Sequence, residues 1–246
     1  MQYPFSLTPN TRYFLKLPAH EQAFQQLLLA LTDHGQISKL TGEIGAGKTM
    51  LCRKVLNALA NHKDKYITAY IPHPFLDEEG VMHSLAEELG LPHPNKASYR
   101  ELLKVISQEI IAQSKNSKQV VLFIDEAQAM PTETLAALFL LTTIETTHAH
   151  FQVVLFGQPE LDLILDQPAL RPLCQGLSFS HTLPALDREE VDAYVAHRLA
   201  KAGYSGKSLF SQDAIDAVFR GSGGIPRLIN ILCHKALMVG YGKGAF

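Results

Sequence analysis

Short apolar runs and longer amphipathic stretches alternate along most of this chain. Residues 19–33 (AHEQAFQQLLLALTD) carry apolar positions at helical spacing, and ISKLTG (37–42) is short, extended and apolar before a glycine-rich turn. KTMLCRKVLNALAN (48–61) returns to the helical period, and YITAYI (66–71) reads as a strand by its β-branched and aromatic content. Pro72 and Pro74 break the chain. Amphipathic helices are expected over 78–90 and 99–114, followed by QVVLFID (119–125), a continuous apolar run suited to a strand buried on both faces. A helix over 132–145, a second buried strand FQVVLFG (151–157) and a weaker, alternating strand LSFSHTL (177–183) come next.

Strands separated by helices predict an α/β fold, a parallel sheet covered on both faces. After Pro184 no further strand pattern appears. Asp187 with Glu190 three residues on gives a capping-box start to a helix reaching about Ala202, and residues 211–223 and 225–241 read as two more helices. The chain is therefore expected to divide into an α/β core over 1–183 and an all-helical lid over 184–246.

Composition narrows the function classes. With 246 residues, 46% hydrophobic and 19% charged, the chain is not of disordered, collagenous or coiled-coil type. The 22 Lys+Arg against 24 Asp+Glu, a formal charge of −2, disfavour a protein held on nucleic acid chiefly by charge. Three Cys lie far apart without a CxxC, so neither a zinc site nor a disulfide framework is expected, and a reducing compartment fits. The start MQYPFSLTPNTRYF lacks a secretory pattern and no apolar run is long enough to cross a bilayer, so the expectation is a cytoplasmic chain without direct membrane insertion. The abrupt end at YGKGAF leaves room for a longer natural protein. His148 and His150 read as solvated loop residues, and the apolar face of EEGVMHSLAEEL as core packing.

The chemistry concentrates in three places. Gly42-Glu43-Ile44-Gly45-Ala46-Gly47-Lys48-Thr49, followed by Met50, satisfies GxxxxGK[ST] between a strand and a helix. Glycines there let backbone N–H groups wrap a phosphate, Lys48 reaches the β/γ-phosphates of a nucleotide, and the Thr49 hydroxyl is a Mg²⁺ ligand. Asp125-Glu126 ends the apolar 119–125 strand, where Asp125 is placed to hold Mg²⁺, mostly through water, and Glu126 to polarise an attacking water. Arg227, behind Gly223-Gly224-Ile225-Pro226, falls in the first turn of the last helix, where a cation opposes the helix dipole. That position suits an anionic partner and an exposed surface arginine equally. The apolar residues Ile229, Ile231, Leu232 and Leu237 are expected to pack this helix onto the core.

The combination TGEIGAGKT, LFIDEAQ, LFGQPEL and SGGIPRLINILCHKAL resembles the AAA+ ATPases of general secretion pathway protein A type, and within them the ATPase of mannose-sensitive haemagglutinin (MSHA) pilus biogenesis. The resemblance spans essentially the whole chain. It implies a P-loop AAA+ core with a parallel five-stranded sheet and a helical lid, and ATP with Mg²⁺ hydrolysed at the interface of a homo-oligomer. It also implies partners in pilus or secretion assembly at the inner membrane. Arg227 then matches the sensor-2 arginine and Gln158 the sensor-1 region, the latter reading equally as a turn residue before Pro159. The segment Tyr3–Tyr13 resembles the stretch that borders the base, or else is an arm packed on the core. Gly176 stands where the family usually has arginine, leaving Arg171 as the candidate finger acting on a neighbouring subunit. Two rivals remain: a DNA-binding transposition or loader ATPase, and a nucleotide-switched binding module with little turnover.

Overall fold

The computed structural model describes the chain apart from residues 1, 2, 9, 34, 73, 93–96, 145–150, 245 and 246. His148 and His150 lie outside the described residues. Five strands, β1 (Ile37–Gly42), β2 (Tyr66–Ile71), β3 (Gln119–Ile124), β4 (Gln152–Gly157) and β5 (Leu177–Leu183), form one sheet in the order β2-β3-β4-β1-β5. Every paired neighbour is parallel. The inner strands β3 and β4 are buried at all six positions, as continuous apolar runs require, whereas the edge strand β5 alternates between intermediate and exposed until Leu183.

The period-2 alternation of β3 divides its side chains between two cores. Val120, Leu122 and Ile124 point toward α3 (Glu78–Glu88), α4 (Tyr99–Lys115) and α5 (Thr132–Thr142), packing with Met82, Leu85, Leu102, Ile106 and Leu138. Val121 and Phe123 face α1 (Pro18–Thr32) and α2 (Lys48–Leu59), packing with Leu27, Leu51 and Val55. Ser98 and Glu101 close a capping box on α4, and Asp77 caps α3. The short helix α6 (Glu160–Leu165), which sequence periodicity does not announce, follows β4 directly.

Past β5, α7 (Arg188–Lys201), α8 (Gln212–Ser222) and α9 (Pro226–Gly242) build a third apolar cluster from Val191, Val195, Ile215, Val218, Ile229 and Cys233. The capping box Asp187–Glu190 starts α7 as expected. The expectation that α9 packs onto the core is corrected: Ile229 is buried and Leu232 and Leu237 half-buried within this helical cluster. The reason is that α7 and α8 present apolar faces nearer to α9 than the sheet does. Phe5 and Leu17 of the N-terminal arm are buried in the same cluster.

A tight backbone contact sets the entry to α9. Gly224 has φ +76°, its carbonyl accepts from the Leu186 N–H at 3.0 Å, and a Cβ there would stand 2.0 Å from the Leu186 oxygen. Gly223 is also left-handed, φ +56°, but an added Cβ meets nothing within 4 Å. Gly224→Ala is therefore expected to cost about 2 kcal/mol or more and Gly223→Ala only about 1 kcal/mol. Urea unfolding of both variants checks this, and equal losses would mean that the Leu186 contact relaxes freely.

Candidate functional site

Because all five strands run the same way, their carboxyl ends share one edge of the sheet. With β4 lying between β1 and β3, the loops after three adjacent strands meet there. The loop from β1 into α2 is the glycine-rich turn. Gly45 (φ +85°) and Gly47 (φ +106°) adopt conformations that disfavour other residues. The Lys48 ammonium is folded back into the loop, donating to the Gly42 and Glu43 carbonyls at 2.8 and 3.0 Å. Its burial lowers the pKa, opposed by the nearby Glu126 and Asp125 carboxylates.

From β3, Asp125 is buried and accepts from the Thr49 hydroxyl at 2.6 Å and from the Glu126 N–H at 3.0 Å, with the Tyr70 hydroxyl at 3.5 Å. Burial raises its pKa, and the Thr49 hydrogen bond pulls the other way. Glu126 is held in the left-handed region (φ 54°, ψ 39°), a conformation that stores strain in a residue with a side chain. Its carboxylate accepts from the Gln128 amide at 2.8 Å and the Gln158 amide at 3.3 Å, while the Gln158 N–H donates to Gln128 Oε1 at 2.9 Å. Gln158, at the end of β4, thus meets Glu126, at the end of β3, with Gln128 bridging them.

The lid closes the other side. The Arg227 N–H donates to the Gly45 carbonyl at 3.3 Å, and a Cβ on Gly45 would stand 2.5 Å from Arg227 Cβ, so the turn admits the lid only with glycine there. His20 of α1 places Nε2 3.0 Å from the Ala46 carbonyl. A cavity of about 340 Å³ lies between these parts, lined by Gly45 to Met50, Glu126, Arg227, Tyr13 and Phe14 among others. In the N-terminal arm, Phe5 packs in the lid cluster, while Ser6, Thr8 and Tyr13 line the cavity. Arg171 is not brought together with these residues; it is exposed in the turn after α6. Gly176 is backed by Gln36, whose Oε1 would lie 2.4 Å from a Cβ at that position.

Three contributors escape sequence reading. Arg198 of α7 is buried, donates to the Pro4 and Ser6 carbonyls at 2.6 and 3.0 Å, and stacks 4.5 Å over the Tyr13 ring. Gln128 and His20 are the others. Gln128 could have been suspected from its place three residues after Asp125; Arg198 and His20 sit in ordinary helical patterns and carry no such signal.

A strand, a glycine-rich turn with an inward lysine, and a helix, with an acidic pair at the end of the strand one removed in the sheet, define a P-loop nucleotide-binding protein of the α/β class. Residues 31–165 match the family model described as "AAA domain", more than half of the chain, and the chain belongs to that family. It is 38% identical over 243 residues to "General secretion pathway protein A" of Aeromonas hydrophila, a match that covers 98% of this chain and 44% of that protein. The chain therefore spans less than half the length of that curated relative, to which it is related as a general secretion pathway protein A-like AAA+ protein. Among solved structures it resembles the Aeropyrum pernix ORC2 protein (TM-score 0.71, 15% identity, 99% of this chain and 67% of that one). It also resembles CDC6P of Pyrobaculum aerophilum (TM-score 0.73, 17% identity, 98% and 66%). A third is domain III of the Thermotoga maritima replication initiation protein DnaA (TM-score 0.61, 18% identity, 97% and 91%). At these identities the likeness is one of fold, and the fold is AAA+.

The buried Asp125 carboxylate has a consequence for the protein alone. Its pKa is raised above the unfolded value, so the folded state takes up that proton first as pH falls. The burial penalty is thus present at neutral pH and fades as pH drops through the folded value. Asp125→Asn is expected to melt higher than the parent chain at pH 7, with the margin shrinking as the pH is lowered into the carboxylate range. A variant melting lower at pH 7 would show that the Thr49 and Glu126 hydrogen bonds outweigh the burial.

Proposed function

We propose that this chain is a Mg²⁺-dependent ATPase module, with an α/β core over 1–183 and a helical lid over 184–246, that powers or switches assembly of a type IV (MSHA-like) pilus or a secretion apparatus. The single observation that carries the reading is the meeting of Lys48, Thr49, Asp125 and Glu126 at one edge of the sheet, beside a turn whose glycines leave its backbone N–H groups open to a phosphate. The Thr49 hydroxyl and Asp125 carboxylate, 2.6 Å apart with the acid buried, are hard oxygen donors fitted to Mg²⁺. When bound, the ion supplies charge neutralisation on the phosphates. Lys48 exchanges its two carbonyl partners for phosphate oxygens, and Glu126 takes a proton from the attacking water, oriented by Gln128 and Gln158.

The arm residues Tyr13 and Phe14 border the base, and Arg227 pairs with the γ-phosphate from the lid side. Arg171 is the candidate group acting on a neighbouring subunit, which makes a homo-oligomer part of this proposal. The setting is the cytoplasmic face of the inner membrane, reached through partners in the assembly apparatus; no described helix is long and apolar enough to cross a membrane. The relation to general secretion pathway protein A favours this assignment over a nucleic-acid one.

Glu126→Gln keeps shape and hydrogen bonding but loses the base, so it is expected to bind ATP–Mg²⁺ while hydrolysing it on the order of 100-fold more slowly. Phosphate release under saturating ATP measures this, and parental turnover in the variant would transfer the role to another group. Comparing rates across protein concentration, with and without DNA, separates the settings: a rate per subunit that rises with concentration supports a shared site, and stimulation by DNA replaces the assembly reading with the DNA-loader one. Arg227→Ala is expected to narrow the difference between ATP-analogue and ADP affinity, because only the triphosphate offers the charge that Arg227 pairs with. Paired titrations test it, and an unchanged preference would reduce Arg227 to a surface residue.

A further inference from the structure

The P-loop works only if its peptide planes point their N–H groups inward, and one of these planes is gripped from outside. A trans peptide points its C=O and the next N–H in opposite directions. The Ala46 carbonyl is 3.0 Å from His20 Nε2; since a carbonyl only accepts, Nε2 is the donor and carries the hydrogen. The Ala46 C=O is thereby drawn toward α1, and the Gly47 N–H is turned the opposite way.

His20 is built for this single contact. The residue is 6% exposed, and its Nδ1 is buried with no hydrogen-bond partner among the described residues. The ring therefore stakes its buried polarity on the Ala46 bond. The edge-on contact with Phe14, centroids 6.3 Å apart, supports the ring on one side. On the other, a Cβ added to Gly47 would come 3.3 Å from Nε2, so the ring and the loop backbone are in direct apposition. Gly47, with φ +106°, is the N-cap of α2 and lacks a side chain to hold its own peptide, so an external donor is the means of holding it.

From this geometry we propose that His20 is a positioning residue of the phosphate site: its Nε2–H fixes the Ala46–Gly47 peptide so that the Gly47 N–H is presented to nucleotide phosphates. The inference rests on the nucleotide-binding reading of the P-loop and predicts a selective defect. Loss of the donor weakens ligands in proportion to their phosphate contacts and leaves the nucleoside part untouched.

The experiment is titration of adenosine, ADP and a non-hydrolysable ATP analogue onto His20→Met and His20→Gln, with Lys48→Ala as the control for the site itself. Met and Gln have the same unbranched length and differ in whether the end can donate. His20→Met is expected to bind ADP and the ATP analogue about tenfold more weakly, with adenosine changed less than about twofold, and His20→Gln to recover most of the loss. Parental affinity in His20→Met, equal losses for adenosine and ADP, or equal losses in both variants would overturn the proposal. Wild-type affinity in Lys48→Ala would instead overturn the nucleotide site on which it rests. A long-range ¹H–¹⁵N spectrum of the unsubstituted protein gives a test independent of variant folding: the Nε2–H form of His20 is expected, and an Nδ1–H form would sink the idea.

Discussion

Three charged side chains, Lys48, Asp125 and Glu126, converge at the carboxyl edge of a parallel sheet, and the first two are buried. Removing such groups from water is expensive unless each finds compensating partners. The Lys48 ammonium is compensated by two loop carbonyls, and Asp125 by a hydroxyl and a backbone N–H. Opposite charges also act on one another, since both carboxylates raise the lysine pKa against its burial. Much of the surrounding architecture serves this arrangement. The strand order β2-β3-β4-β1-β5 brings the loops together, the apolar β3 and β4 exclude water from beneath, and Gly45 lets the lid close from above.

What was legible in the chain follows from the range of the forces involved. The strands β3 and β4 were visible because burial on both faces demands unbroken apolar runs, and the phosphate loop because glycine and lysine spacing is a local constraint. Local competition also explains a misplaced end: the helix expected to reach 145 stops at Thr142, where the Thr142 and Thr143 hydroxyls bond the Phe139 and Leu140 carbonyls. Helix α6 was missed because six residues give fewer than two turns of periodicity. The bonds from Arg198 to Pro4 and Ser6 bridge nearly the length of the chain, and His20 to Ala46 joins two elements that each look complete alone. No local pattern records such pairs.

The glutamate, too, is more than a motif letter. Gln128 reaches forward to receive the Gln158 N–H and donates back to Glu126, so the end of β4 and the turn after β3 share one carboxylate. Two amide donors restrict the orientation of that carboxylate. The left-handed backbone at Glu126 costs of order 1–3 kcal/mol, and it persists because the Asp125 carboxylate and these amides fix both sides of the residue.

How firmly the lid is held is then a question of magnitudes. Its apolar cluster is internal to α7–α9 and the arm, through Phe5 and Leu17, and Arg198 ties the arm to α7 by two backbone carbonyls. Leu17, the N-cap of α1, also ties that cluster to the core. Among the described residues the backbone link from α9 to the P-loop is the Arg227 N–H on Gly45, worth about 0.5–1.5 kcal/mol net. The lid and arm thus share a buried apolar cluster and two side-chain bonds, whereas among the described residues α9 meets the P-loop through one backbone bond and the close approach of Arg227 to Gly45.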